Sequence, residues 1–182
     1  GNVTIKDLHT AGTITSNHKF ISGLIARVNQ GCTVNILGCR SSVTLNSTVN
    51  GDATNGGFVA LSNSGHVFIR NSKFDGSFEG DNCSYNGGFV GWPSNGTVAI
   101  DNCFFSPDHF STKLEGCATW SRTPSADQVT VTNSYATTEL TDQIETTVID
   151  GKTFMVLHNN DDWHKFAVKI NESLNNADVN AI

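Results

Sequence analysis

The chain has 182 residues, a formal net charge of −6 and only 15% charged residues, while Gly, Asn, Ser and Thr together make up about 41% of it. This composition excludes a long helical bundle and charge-driven disorder. No apolar run approaches the roughly 18 residues of a membrane span, and no basic stripe favours nucleic acid. We therefore expect a β-rich protein of short strands, with no nucleic-acid partner and no membrane insertion in this segment.

One pattern recurs five times along the chain: Val, a spacer, Ile or Val, a second spacer and a turn residue. Successive copies are 31, 33, 31 and 31 residues apart, and they begin at Val3, Val34, Val67, Val98 and Val129. Alternating apolar residues indicate strands, and a period near 31 residues is typical of one coil of a β-solenoid. A single unit cannot bury its apolar face alone, whereas stacked units bury a continuous core.

Two further features repeat with the same period. A Gly-led strand precedes the last four copies, beginning at Gly23, Gly57, Gly88 and, in weaker form, Gly116. The turn position is occupied by Asp7, Gly38, Asn71, Asn102 and Asn133. Asn tolerates left-handed backbone angles, and stacked Asn side chains can pair amide to amide along the solenoid axis.

These repeats predict an all-β fold, a right-handed parallel β-helix of about five coils over residues 1–145. The hand follows the general preference for right-handed crossovers. Residues 146–182 form a second region, with a strand pair around Asp150-Gly151 and an amphipathic helix from about 161 to 174. That helix either caps the solenoid or opens the next module, and we expect neighbouring modules of a longer chain.

The five cysteines are an odd number, which argues against a closed disulfide framework. Cys39 and Cys103 share one register two coils apart, about 9.6 Å, which is too far for a disulfide. Cys117 occupies the slot of Phe58 and Phe89 in the motif, so we predict a small buried hydrophobe there. Free structural thiols fit a reducing or anaerobic setting.

Catalytic chemistry on a β-helix would need clustered carboxylates, often with Ca²⁺. Aligned coils show no such cluster, so we predict no catalytic residue, no metal and no cofactor. Asp75, Glu79 and Asp81 fall in one segment that we interpret as a solvated acidic turn, and Arg70 and Asp101 are predicted to form an exposed ion pair. The outward positions of the Val-x-Ile strands include Thr4, Asn35, Phe68, Ala99 and Thr130.

One register of the Gly-led strand is the candidate binding site. Alternation places Arg27, Leu61, Trp92 and Trp120 outward in one column, with the two tryptophans about 5 Å apart. Paired exposed aromatic rings beside Arg27 offer flat faces for sugar rings or a partner protein. The alternative is that a loop or the C-terminal helix covers both rings.

Gly-Gly-Phe-Val-Ala at 56–60 and Gly-Gly-Phe-Val-Gly at 87–91 resemble the GLUG motif, a short repeat of bacterial surface proteins that include many from gut anaerobes. The segment 161–167 is similar to the lead-in helix that recurs in those arrays. The resemblance covers residues 20–135 and the C-terminal helix. It implies β-solenoid modules in a secreted or cell-surface protein, and it supplies no catalytic residues.

The function that follows is a non-catalytic module for adhesion, glycan binding or spacing, with a glycan or a host surface protein as partner. Two alternatives stay open at this point. One is a polysaccharide-active lyase or hydrolase on the same fold, and the other is a purely structural stalk repeat.

Overall fold

The computed structural model describes residues 1–122 and 125–137, together with the strands at 147–149 and 152–154. Within these residues the chain is all-β, with one 3₁₀ turn at Ala126–Gln128 and no α-helix. None of the helical structure found there is long and apolar enough to cross a membrane. The helix predicted from about 161 to 174 lies outside the described residues.

The strands are short, and most of them pair with a strand one coil away. In chain order they are β1 (Asn2–Lys6), β2 (His9–Ser16), β3 (Ile25–Val28), β4 (Thr33–Leu37), β5 (Arg40–Ser47), β6 (Gly51–Asp52), β7 (Val59–Ser62), β8 (His66–Arg70), β9 (Lys73–Phe74), β10 (Ser77–Glu79), β11 (Cys83–Ser84), β12 (Val90–Trp92), β13 (Thr97–Asp101), β14 (Phe104–Phe105), β15 (His109–Phe110), β16 (Val129–Thr132), β17 (Tyr135–Ala136), β18 (Thr147–Ile149) and β19 (Lys152–Phe154).

The first sheet contains the five Val-x-Ile strands in the order β1-β4-β8-β13-β16, and every pair in it is parallel. All five strands share one register, so each valine of the repeat lies beside the next valine and Ile36 lies between Ile5 and Ile69. Five layers bound about four turns, and the predicted β-solenoid is confirmed. The right-handed hand stays a prediction.

Two further parallel sheets complete each coil. The second sheet contains β2, β5, β9, β10, β14, β15 and β17, and the third contains β3, β7 and β12. The longer spacing between Val34 and Val67 leaves the columns unchanged, because the extra residues lie in the loops between strands. The registers of the sheets are therefore kept even where the coils differ in length.

The corner between the first and second sheets is formed by the predicted turn column. All five corner residues have positive φ, from 48° at Asn133 to 60° at Gly38. Asn71 and Asn102 are buried, and the Asn102 Nδ2 group donates to Asn71 Oδ1 at 2.7 Å. This amide-to-amide bond confirms the predicted pairing along the axis. Asn133 departs from it, because its Nδ2 group donates to Asp101 Oδ1 at 3.0 Å.

The core lies between the three sheets and is built from columns of like side chains. Ile36, Ile69 and Ile100 are each at most 1% exposed. Aromatic rings from successive coils stack beside them, and the ring centroids of Phe74 and Phe105 are 5.5 Å apart and nearly parallel. Such aromatic contacts add about 0.5–1.5 kcal/mol each to the burial of the rings.

The Gly-Gly-Phe motif exists because the core ring of one coil packs against glycine backbone. A Cβ atom on Gly57 would lie 2.1 Å from the carbonyl oxygen of Gly88 and 2.6 Å from the Phe74 ring. A Cβ atom on Gly88 would meet Thr119 O and the Phe105 ring in the same way. Neither contact is sterically possible, so these positions accept no larger residue without a shift of backbone.

The terminal strand pair is also present. Strands β18 and β19 are antiparallel, with Ile149 opposite Lys152, as predicted around Asp150-Gly151. The division of the chain at residue 145 stays a prediction.

We expect Ile69→Ala to lower the free energy of unfolding by about 2–5 kcal/mol, because it opens a cavity between two other isoleucines. Thr130→Ala, on the exposed side of the same sheet, is the matched control and should cost under about 0.5 kcal/mol. Urea denaturation of both variants measures the difference. A cost below about 1 kcal/mol for Ile69→Ala would contradict the stacked core.

Candidate functional site

The predicted exposed column of the third sheet is only partly present. Arg27, Leu61 and Trp92 do share one register. Arg27 is exposed, but Leu61 is buried, Trp92 is only partly exposed, and Trp120 is 9% exposed. The predicted pair of exposed tryptophans is therefore wrong. Ligand binding at Arg27 or Trp92 stays a prediction.

The error lies in the register of the fourth Gly-led strand. Gly87 bridges Ala118 and Val90 bridges Ser121, which puts Trp120 in the core slot beside Phe89. The Trp120 ring lies 5.2 Å from the Phe89 ring. Its neighbour Gly116 matched the motif glycine in the alignment. In the structure it is a corner residue with φ of 62°, equivalent to Tyr85 at 61°.

The placement of Cys117 in the aromatic slot is wrong for the same reason, although the side chain is buried, as predicted. None of the five cysteines is disulfide-bonded. Burial raises the pKa of the Cys39, Cys83 and Cys103 thiols and raises the pKa of Cys117 to about 11. These four thiols are protonated at neutral pH and are poor nucleophiles and metal ligands.

Trp92 takes part instead in a cluster around Arg122. The Arg122 guanidinium lies between two rings, with its Cζ atom 4.7 Å from the Tyr85 centroid and 4.6 Å from that of Trp92. Its Nη1 group donates to Thr54 Oγ1 at 3.0 Å and to Tyr85 O at 3.2 Å, and lies 3.6 Å from Asp52 Oδ1. Arg122 thereby joins the fourth coil to residues two coils away.

The charges of this Arg122 cluster are balanced within it. Burial lowers the pKa of Arg122, and the carboxylate of Asp52 opposes that shift. Burial alone would raise the pKa of Asp52, but the hydrogen bond from Thr54 and the ion pairs with Lys19 and Arg122 hold it below its ordinary value. A cluster that satisfies its own charges is a structural clamp between coils.

A second polar cluster lies on the outer side of the second sheet, around Asp75. The Asp75 carboxylate accepts hydrogen bonds from Arg40 Nε at 2.9 Å and Ser42 Oγ at 2.6 Å, and lies 3.1 Å from Lys73 Nζ. The side chain is only 14% exposed. The interpretation of this residue as part of a solvated acidic turn is therefore wrong. Asp75 is the centre of a ladder between coils.

Ser42 in this ladder also contacts a histidine, since His9 Nε2 lies 2.8 Å from Ser42 Oγ. The order of the groups does not suit nucleophilic catalysis, in which the histidine takes the serine proton. Ser42 donates its proton to Asp75, whose pKa is lowered by Arg40, Ser42 and Lys73 despite its burial. The described residues contain no group of three or more His, Cys, Asp or Glu side chains that could hold a metal.

The remaining candidate is the outer face of the first sheet around Phe68. Phe68 is 43% exposed, and every other aromatic side chain of the described coils is partly or fully buried. Its neighbours in the same column are Asn35 and the small Ala99. The ring therefore lies open to solvent on a rigid parallel sheet. We name the Phe68 site by six residues: His66, Phe68, Arg70, Thr97, Ala99 and Asp101.

Polar groups flank the ring on both sides of its column. Arg70 Nε lies 3.2 Å from Asp101 Oδ2, which confirms the predicted ion pair between adjacent coils. On the other side, His66 Nδ1 lies 2.8 Å from Thr97 Oγ1. Sequence reasoning placed Phe68 outward but did not select it as a site. The available signal was one large aromatic residue in a column of small and polar ones.

Comparison with protein-family models, with curated proteins and with solved structures finds no match to this chain. The resemblance to the GLUG motif stays a prediction on the residues that carry it.

We expect Arg122→Met to lower the free energy of unfolding by about 1–3 kcal/mol, because it removes two cation–π contacts and partly buried hydrogen bonds but keeps the aliphatic stem. Arg70→Met is the matched control, and its exposed ion pair should contribute under about 1 kcal/mol. Thermal and urea denaturation compare the two variants. Equal, small effects would contradict the clamp.

Proposed function

We propose that this chain is a non-catalytic binding module of a secreted or cell-surface protein, and that the Phe68 site holds a glycan. The single observation that carries the proposal is the exposed aromatic ring of Phe68. Exposed apolar surface rimmed by polar groups is typical of ligand-binding and adhesion surfaces.

The geometry of the first sheet suits a sugar. Strands of the sheet lie about 4.8 Å apart, and side chains on one face of a strand repeat every 6.6 Å or so. A pyranose ring resting on Phe68 would thus come within reach of the residues two positions away on the same strand and of those in the next coil. His66, Arg70, Thr97 and Asp101 place donors and acceptors at those positions.

The rigidity of the sheet supports the same proposal. β8 is hydrogen-bonded on both sides, to β4 and β13. Val67 and Ile69, the residues on either side of Phe68, are 1% exposed in the core. The backbone of the site is therefore fixed before a ligand arrives, which lowers the entropy cost of binding.

The location of the protein rests on the repeat and on the GLUG resemblance, both of which favour a secreted or surface-attached bacterial protein. A host surface protein is the alternative partner for an exposed aromatic residue. The present proposal is a glycan, because the ring is single and is surrounded by hydrogen-bonding side chains rather than by further apolar ones.

We expect the intact chain to bind at least one glycan on an array, and Phe68→Ala to weaken that binding at least tenfold, about 1.4 kcal/mol. Phe68→Trp should preserve binding, because it keeps a flat ring. Titration calorimetry on the strongest glycan measures the affinities. Thr130→Ala, four layers along the same sheet, is the control variant.

The melting temperatures of these variants should stay close to that of the original chain, since position 68 faces solvent. If the intact chain binds no glycan, a stalk or spacer role is favoured instead. If Phe68→Ala binds as well as the original, the ligand does not use this face.

A further inference from the structure

We infer that the Phe68 site selects an anionic saccharide, one whose sugar ring carries a carboxylate or sulfate group. This inference rests on the proposed function, and it identifies the ligand class from the side chain that lies nearest to Phe68 along its own strand. That side chain is Arg70.

Arg70 is two residues beyond Phe68 on β8, so the two side chains leave the same face of the sheet, with their Cα atoms about 6.6 Å apart. The Arg70 side chain is 60% exposed. Its Nε group faces Asp101, and its two terminal Nη groups have no partner among the described residues. A guanidinium offers two parallel N–H donors that match the two oxygens of a carboxylate or sulfate.

Asp101 does not repel such a ligand, because its charge is already used. Its Oδ2 atom faces Arg70, while its Oδ1 atom accepts hydrogen bonds from Thr132 Oγ1 at 2.8 Å and Asn133 Nδ2 at 3.0 Å. The carboxylate is thus engaged on both oxygens and holds one side of Arg70. The free side of the guanidinium is the side available to a ligand.

The other clusters of the described coils lack this free cation. Arg122 lies between two rings and donates to Thr54 and Tyr85. Arg40 and Lys73 both pair with Asp75. The strand residues on the outer face of the first sheet carry two cations, Lys6 and Arg70, and one carboxylate, Asp101, within a chain of net charge −6. Local charge on this face therefore favours an anion.

The experiment compares matched glycans that differ only in charge. The probes are a galacturonate oligosaccharide and its neutral methyl ester, and a galactan oligosaccharide with and without sulfate. We expect the chain to bind at least one acidic member at least tenfold more tightly than its neutral partner, with a preference that falls as salt is raised. The carboxylate and sulfate arms show which anion is recognised.

Arg70→Gln should remove the preference and leave the affinity for the neutral partner unchanged. Lys6→Gln is the matched control, a cation on the same face two coils away, and it should keep the preference. Phe68→Ala should weaken binding of acidic and neutral glycans alike.

Equal binding of acidic and neutral partners, unchanged in Arg70→Gln, would overturn the anionic selectivity while the proposed function stands. Absence of binding to all four probes and to a wider glycan array would overturn the proposed function itself. The two failures are therefore distinguishable.

Discussion

Parallel hydrogen bonding between successive coils is the constraint on which the rest of this molecule depends. A coil can bond to the next one only if its strands lie in register, and register places each side chain beside its equivalent one repeat later. The columns of valine and isoleucine in the first sheet are the direct result. Differences in coil length are accepted only in the loops, where no column is interrupted.

The same constraint explains the polar residues that give the chain its unusual composition. At each corner the backbone must take positive φ, which Asn and Gly accept most readily. Register then stacks the asparagines, so that Asn102 bonds to Asn71. Buried glycines allow the core rings of one coil to touch the backbone of another. Stacking also creates ladders of unlike charge, such as Arg40, Lys73 and Asp75.

Much of this could be predicted from the sequence, since a repeat of 31 residues carries its own register. The Val-x-Ile columns, the asparagine corner and the Arg70–Asp101 pair all follow from alignment of the copies. The fourth Gly-led strand was misaligned because Gly116 fits the motif by type while serving as a corner. Trp120 was therefore expected outside, where a shift of three residues puts it in the core.

The Arg122 clamp could not be predicted, because its contact with Thr54 spans 68 residues and follows no repeat. The exposure of Phe68 followed from alternation, but its isolation did not. That isolation depends on the burial of every other ring, which in turn depends on packing between coils. A site of this kind is defined as much by what surrounds it as by its own residues.

The in-register stack is the central claim, and a distance along one column tests it most directly. Nitroxide labels at Thr4→Cys and Thr130→Cys, in a Cys32→Ser background, report the span of four coil steps by electron paramagnetic resonance. The four other cysteines are buried and have raised pKa values, so they should resist labelling. The stack predicts one narrow distribution near about 19 Å. A broad distribution, or one centred beyond roughly 30 Å, would contradict it, because strands that far apart cannot be successive layers of one sheet.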